Sequence, residues 1–455
     1  MKKSVGNRIW LFVFLLLCLI PSLGMLVFGP SEAAANEVLS PFPALREKSG
    51  KLNAEYLSQL ADWAGDRFAL RQELVTAWSG LNAALFRTSA EDKVVVGSGR
   101  WLYYAETLDD YRGAGLTDGQ LEALARNLAL MQEYTESKGA RFLFTIAPNK
   151  NSLYPEAMPA AVPRREQTRN AERLAPLLER CGVRSADLFS AFSGEDRVLY
   201  FETDSHWNTE GAALAADTIL RCLGRDSAFY ASGFSDGERH TGDLYEMLYP
   251  AGRYAETDRR FLPGFHFTTA KDPNGGNAIN IESSCEAGEG RLLCWRDSFG
   301  VTLYPYLAES FRDGRFSRSA SYELVRLEEE ETDAVVIEIV ERNLRYLLEY
   351  MPVYPAPLRE LPPAGGGMPS PEVTAEKGRT AASAGMTLLQ CAIPAEYVPE
   401  GARAYYVCDG LCYEAAILYP AGPDPVVSAW IPLEEIGSIS VLCGGDGGLF
   451  TADAA

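Results

Sequence analysis

The sequence predicts an α/β protein: a mainly parallel sheet with helices on both faces, preceded by an N-terminal transmembrane helix and followed by a small C-terminal β domain. Three observations carry this expectation. Short apolar runs alternate with amphipathic helical stretches between Val94 and Met351, a charge-free apolar span opens the chain, and evenly spaced β-like runs close it.

Residues 1–30 read as a membrane anchor. Ile9 to Phe28 is a 20-residue span without charge, and at about 1.5 Å per residue it is long enough to cross about 30 Å of hydrocarbon. Lys2, Lys3 and Arg8 precede it, so residues 31–455 are expected outside the cytoplasm. A cleaved signal peptide is the alternative, with small residues at Ala33 to Ala35, but the apolar run exceeds a usual signal core. Residues 31–90 form a helical arm, in which Leu57, Leu60, Ala61, Trp63, Ala64, Phe68, Leu70, Leu74 and Trp78 recur at helical spacing and are expected to pack.

Residues 91–351 supply the alternating pattern. Arg141 to Ala147, Val198 to Phe201, Leu292 to Trp295 and Val335 to Val340 read as strands, and Gln120 to Ser137, Gln167 to Arg180, Glu210 to Leu223 and Glu341 to Met351 as helices. Residues 352–379, dense in Pro and Gly, read as a linker. In residues 380–455 the runs Leu388 to Ile393, Ala404 to Val407, Glu414 to Leu418, Val427 to Ile431 and Ser438 to Leu442 indicate the small β domain.

The net charge of −20 includes three cations and no acid in the first 30 residues, so the rest of the chain is more acidic still. Such a surface repels phosphate backbones and argues against nucleic acid as a partner. Three histidines and no C-x-x-C pair leave little material for a metal site. Eight cysteines lie beyond the apolar span, an even number that fits a disulfide-permitting compartment. A Cys285–Cys294 staple and pairing among Cys391, Cys408, Cys412 and Cys443 are open arrangements, with buried free thiols as the alternative.

Two segments carry the chemistry. In FETDSHWNTEG, Asp204 stands two residues before His206, so in an extended segment both project to one side and the carboxylate can orient the imidazole. Asn208 or Thr209 can cap a following helix, which places His206 at a strand-to-helix junction. In CWRDSFGVTLY, Ser298 also follows a strand and opens a helix, where partial positive charge favours an oxyanion. Asn149 and Lys150 follow the first strand of the sheet, and Arg296 and Arg342 flank the later ones. At the carboxyl ends of parallel strands these are candidates for oxyanion or substrate binding, against a plain surface role.

The D-x-H-W segment, followed about ninety residues later by a D-S-F segment, resembles the DHHW proteins and the extracytoplasmic alginate O-acetyltransferases of the SGNH hydrolase-like class. The resemblance extends to DWAGDRFALRQ at 62–72, W-L-Y-Y at 101–104, P-N-K at 148–150, G-D-L at 242–244 and V-E-R at 340–342. Arg296 stands where the serine motif of that class has Gly, and Ser205 where its name implies His. The resemblance implies a catalytic triad of Asp204, His206 and Ser298, ordered as in the alginate-type branch. It also implies acetyl transfer to a surface or exported polysaccharide through an acetyl-serine intermediate, with a membrane-bound O-acyltransferase as donor partner and no cofactor. A carbohydrate esterase with the same triad and a non-catalytic envelope scaffold are the competing readings; a secreted glycosidase rests only on plentiful acids.

Overall fold

The computed structural model describes residues 2–33, 38–164, 169–270, 275–379, 383, 385–420, 424–445 and 448–453. Three helices lead the chain: α1 (Lys2–Phe28), α2 (Tyr56–Arg67) and α3 (Arg71–Phe86). Within α1 the side chains of residues 2–7, 16–18, 20–22 and 26 fall outside the description, as do Ala34 and Ala35 of the small-residue site. Among the described residues no helix is long and apolar enough to cross a membrane.

The body opens with a hairpin of β1 (Val94–Val96) and β2 (Leu102–Tyr104), then α4 (Leu108–Tyr111) and α5 (Asp118–Ser137). A capping box starts α5: Thr117 Oγ1 accepts from the Gln120 N–H at 3.2 Å, and Gln120 Oε1 accepts from the Thr117 N–H at 3.0 Å. There follow β3 (Arg141–Ala147), α6 (Lys150–Leu153), α7 (Asn170–Arg180), β4 (Ser185–Ala186), α8 (Leu188–Ser193) and α9 (Thr209–Cys222). Next, β5 (Phe234–His240) pairs with β6 (Glu256–Phe261) around α10 (Asp243–Leu248). The body closes with β7 (Thr268–Thr269), β8 (Asn280–Ser284), β9 (Arg291–Trp295), α11 (Gly300–Ser310), β10 (Asp313–Ser317) and β11 (Ala334–Val340).

The central sheet has the order β4-β3-β11-β9-β10-β8-β7; its first five strands are parallel, and β8 and β7 add an antiparallel edge. Strands β3 and β11 are apolar on both faces because helices cover both. Phe142, Phe144, Val335 and Ile337 pack towards α5 and α7, while Leu143, Ala147, Val336 and Val340 pack towards α9 and α11. This is the α/β architecture expected from the sequence.

Three local expectations need correction. Val198 to Phe201 does not join the sheet. It folds against the residues after the triad loop, with Asn208 N–H donating to Leu199 O at 2.9 Å and an isolated bridge between Tyr200 and Trp207. Glu341 to Met351 is a 3-10 run over Glu341–Leu348 rather than an α-helix. In the arm, Leu57, Leu74 and Trp78 are exposed instead of packed.

The Pro- and Gly-rich stretch is woven into the C-terminal sheet rather than free. It contributes β12 (Leu358–Arg359), β13 (Ala364–Gly367) and β14 (Thr374–Lys377) to a nine-stranded sheet. The other strands are β15 (Thr387–Ala392), β16 (Arg403–Cys408), β17 (Leu411–Leu418), β18 (Val426–Ile431), β19 (Ile439–Gly445) and β20 (Gly448–Asp453). The eight described cysteines are free thiols. Strand β10 lies between β8, which leads into Cys285, and β9, which carries Cys294, so no staple forms. Cys408 faces Leu411 across the β16–β17 hairpin and Cys443 faces Ala404, so neither has a cysteine opposite.

One continuous core joins α5 to this sheet. Asn127 clasps Ile417 through Nδ2 to the carbonyl (2.9 Å) and Oδ1 from the N–H (3.3 Å). Glu414, 2% exposed, accepts from Arg126 and from Arg359 Nε at 2.7 Å. Glu414→Ala leaves Arg126, 31% exposed, without its acid, while Arg359 keeps its pair with Glu133, and partial rehydration limits the cost to about 2 kcal/mol. The expected result is a lower urea midpoint at unchanged m-value.

Candidate active site

Strand register sets the site. Ala147 of β3 pairs with Val340 of β11, and Trp295 of β9 pairs with Ile337, three residues earlier. Ser298, three residues past Trp295, therefore comes level with Val340 and Ala147 at the carboxyl edge of the sheet. The turn that presents it is held by Asp297, whose Oδ1 accepts from Phe299 N–H (2.9 Å) and Oδ2 from Val340 N–H (2.7 Å) and Asn343 Nδ2 (3.3 Å). Beneath it Glu338 accepts from the Asp297 N–H at 3.2 Å; burial and the Asp297 charge hold its carboxyl well above the usual range. Among the described residues the Ser298 N–H has no hydrogen-bond partner. It lies just before the first turn of α11.

The imidazole arrives from the other side of that edge. His206 Nε2 lies 2.8 Å from Ser298 Oγ, and Nδ1 lies 2.7 Å from Asp204 Oδ1. An ionised carboxylate only accepts, so Nδ1 carries the proton and Nε2 is left to accept from the serine hydroxyl. Trp207 fixes the loop: it is fully buried, its Nε1 donates to Thr302 of α11 at 2.7 Å, and it packs edge-on to Phe299. Phe299 in turn lies 4.8 Å from the His206 ring. Asn208 caps α9 by accepting from Gly211 N–H at 2.9 Å, as the sequence suggested.

Asp204 receives four donors. Oδ1 accepts from the N–H and Nδ1–H of His206 at 2.9 and 2.7 Å, and Oδ2 from His240 Nε2 at 2.8 Å and Asp243 N–H at 3.0 Å. Burial alone raises its carboxyl, but the hydrogen bonds and charges of the two histidines outweigh it and hold Asp204 well below the ordinary range. For His206, burial pushes the imidazole down, yet the hydrogen bond and charge of Asp204, with Asp243 nearby, raise it above its ordinary value. The donor atoms of Asp204, His206 and Asp243 lie within 4.8 Å of one another, a grouping that has metal-ligand chemistry. Their lone pairs are already engaged: Asp243 accepts from the N–H and hydroxyl of Ser205 at 2.7 and 2.6 Å.

His240 and Asp243 were not singled out from the sequence. The signal was there in the R-H-T-G-D-L segment, since His240 is one of three histidines and lies two residues before G-D-L. Gly242 is required at this approach, because a Cβ there would come within 2.2 Å of Thr203 O. His240 is a positioning residue. We expect His240→Ala to lower kcat about tenfold with KM unchanged, and His240→Gln, which still donates to Asp204, to restore most of it.

The other sequence candidates divide. Lys150 does not face the serine. Its buried Nζ donates to the carbonyls of Phe201 (3.1 Å), Glu202 (3.0 Å) and Asp204 (2.6 Å), between the Trp101 and Tyr103 rings, and burial pulls its pKa down to about 8. The P-N-K and W-L-Y-Y motifs thus clamp the triad loop from behind. Arg296 is also turned away: Nη2 donates to Gly276 and Ala278 carbonyls at 2.8 and 3.1 Å. A Cβ on Gly300 would collide with its side chain. Neither residue is turned to the serine: Lys150 spends its donors on main-chain carbonyls, and Arg296 turns Nη1 and Nη2 to main-chain carbonyls while its buried Nε has no partner among the described residues.

Asn149 is buried, its N–H donates to Glu341 Oε2 at 3.0 Å, and its carboxamide oxygen lacks a partner among the described residues. Glu341 also accepts from Ser152 Oγ (2.6 Å) and pairs with Arg169 (3.4 Å); burial raises it to about 7. It thereby ties the P-N-K and V-E-R segments together. Arg342 is half-buried with its guanidinium 5.5 Å over Phe299 and 5.3 Å over Tyr104, on the ring that also flanks His206.

Residues 94–260 match the family described as the SGNH hydrolase-like domain of the acetyltransferase AlgX, so the family resemblance read from the motifs is borne out over that segment. A curated relative, the probable alginate O-acetylase AlgJ of Pseudomonas syringae pv. tomato, is 25% identical over 173 residues, which is 37% of this chain and 42% of that protein. Two solved structures are also similar. PatB1 of Bacillus cereus with a sulfonyl adduct has 17% identity and a TM-score of 0.45 over 55% of this chain and 95% of that one. A DHHW family protein from Eubacterium siraeum has 15% identity and a TM-score of 0.40 over 50% and 86%.

Proposed function

We propose that this chain is an extracytoplasmic O-acetyltransferase that moves acetyl groups onto hydroxyls of a cell-surface or exported polysaccharide. The observation that carries this is the unbroken chain from Asp204 through His206 to the Ser298 hydroxyl, with contacts of 2.7 and 2.8 Å, at the carboxyl edge of a parallel sheet. The match of residues 94–260 to an acetyltransferase domain, and the name of the AlgJ relative, support acetyl transfer to a polysaccharide.

Ser298 Oγ attacks the acetyl carbonyl of a donor ester while His206 Nε2 takes the hydroxyl proton. Collapse of the tetrahedral intermediate expels the donor's oxygen, which receives that proton, and leaves acetyl-Ser298. A sugar hydroxyl then attacks the acetyl group as the same nitrogen takes its proton, and Ser298 is regenerated. The Ser298 N–H, with the Asn149 amide, serves the oxyanion, and one such donor is worth about 10²–10³ in rate. Arg342, over the Phe299 ring that flanks His206, contacts the polysaccharide substrate.

The apolar segment of α1 holds the domain at the outer membrane face, beside a membrane-bound O-acyltransferase that delivers acetyl groups. The test is to incubate the protein with an acetyl ester with and without oligosaccharide. Acetylated oligosaccharide and acetyl-Ser298 in the peptide mass spectrum are expected. Free acetate as the sole product in both arms overturns acetyl transfer.

A further inference from the structure

Helix α3 is built inside out. Its buried side carries Ser79, with Gln72, Thr76, Gly80 and Asn82 at partial exposure, while Leu74, Trp78, Leu81 and Leu85 recur at intervals of four, three and four on the open side. Trp78 is 59% exposed and Leu85 64%. Ala77 and Ala84 fill in one side of the stripe, Arg71 stands at its N-terminal end three residues before Leu74, and Glu73 flanks it. A surface helix normally turns such a face to the core, and a contiguous exposed apolar face marks a contact surface.

We propose that this face of α3 lies in the headgroup region of a lipid bilayer, parallel to the membrane surface. This rests on the reading of α1 as the anchor. Two features select lipid as the occupant. First, the apolar face continues onto α1. Gly24 lies so close to Ala69, between α2 and α3, that a Cβ would come within 2.8 Å of the Ala69 side chain, and the Ser31 N–H donates to Arg67 O at 3.0 Å. Described α1 residues at that end, Leu23, Val27 and Phe28, are exposed in the same way. Second, the exposed Arg87 just past the C-terminal end of α3 is placed to meet anionic headgroups, while Trp78 sits at the interface. Bound in this way, the arm fixes the height and orientation of the catalytic domain, where a flexible tether would leave both free.

The full chain is reconstituted into vesicles of phosphatidylcholine and phosphatidylglycerol, and the tryptophan emission that Trp78→Phe removes is read as a difference. We expect bromines placed high on the lipid chains to quench that component and aqueous iodide to spare it. Quenching by iodide but not by bromolipid overturns the proposal. Protection from both also overturns it and assigns the face to a protein, with the oligomeric state in nanodiscs showing whether that is a second copy. A carbonate wash separates the two readings: loss of the chain from the membrane sinks the anchor itself, whereas retention with iodide-accessible Trp78 sinks only the docking of α3.

Discussion

Ser298→Ala lowers kcat/KM for acetyl transfer by about 10⁴-fold or more, with the thermal midpoint almost unchanged. The size follows from what the hydroxyl does. In the proposed mechanism the acetyl group passes through Oγ, so without it His206 Nε2, 2.8 Å away in the parent, is left to activate water or a sugar hydroxyl directly. The small effect on stability follows from the bonding around the residue. The Ser298 turn is held by Asp297 through Phe299, Val340 and Asn343, none of which involves the serine side chain. The measurement is acetyl transfer from an activated ester, paired with covalent labelling by a sulfonyl fluoride that reacts at the parent serine and not at alanine. Residual activity within tenfold of the parent would show that another nucleophile carries the reaction.

Much of this site was legible in the sequence because two short motifs each carry their own geometry. The D-x-H spacing places carboxylate and imidazole on one side of an extended segment, and the apolar runs before Ser298, Asn149 and Arg342 put those residues at the same sheet edge. What remained hidden was set by long-range packing. Val198 to Phe201 has strand composition, yet its backbone is used by the loop that returns through Trp207. Lys150 and Arg296 look like site cations, but each is drawn inward to main-chain carbonyls that no local pattern reveals. The helical arm shows the limit most plainly. Its periodicity gives an amphipathic helix correctly, but periodicity cannot say which face turns inward, and in α3 the apolar one does not.

Asp204→Asn gives the second large effect, a fall of about 10³–10⁴-fold in kcat, accompanied by a loss of stability that Ser298→Ala lacks. The asparagine is the same size but offers one acceptor where four donors converge. If its oxygen faces His206, its NH₂ meets the Asp243 N–H; if it faces Asp243 and His240, the NH₂ meets the His206 N–H. Backbone donors cannot change tautomer, so either orientation leaves one buried N–H unpaired, at about 1–3 kcal/mol. The pH profile supplies the sign. Ser298 needs a neutral His206, and the Asp204 hydrogen bond and charge raise that imidazole despite its burial. Activity in the parent is therefore present above the raised pKa and lost as pH falls through it, so the acid limb lies above the ordinary histidine value of about 6.5. In Asp204→Asn the burial that pushes the imidazole down remains while the raising charge is gone, and the acid limb of the residual activity moves to lower pH. An acid limb that stays in place would mean that Asp204 does not set the protonation of His206.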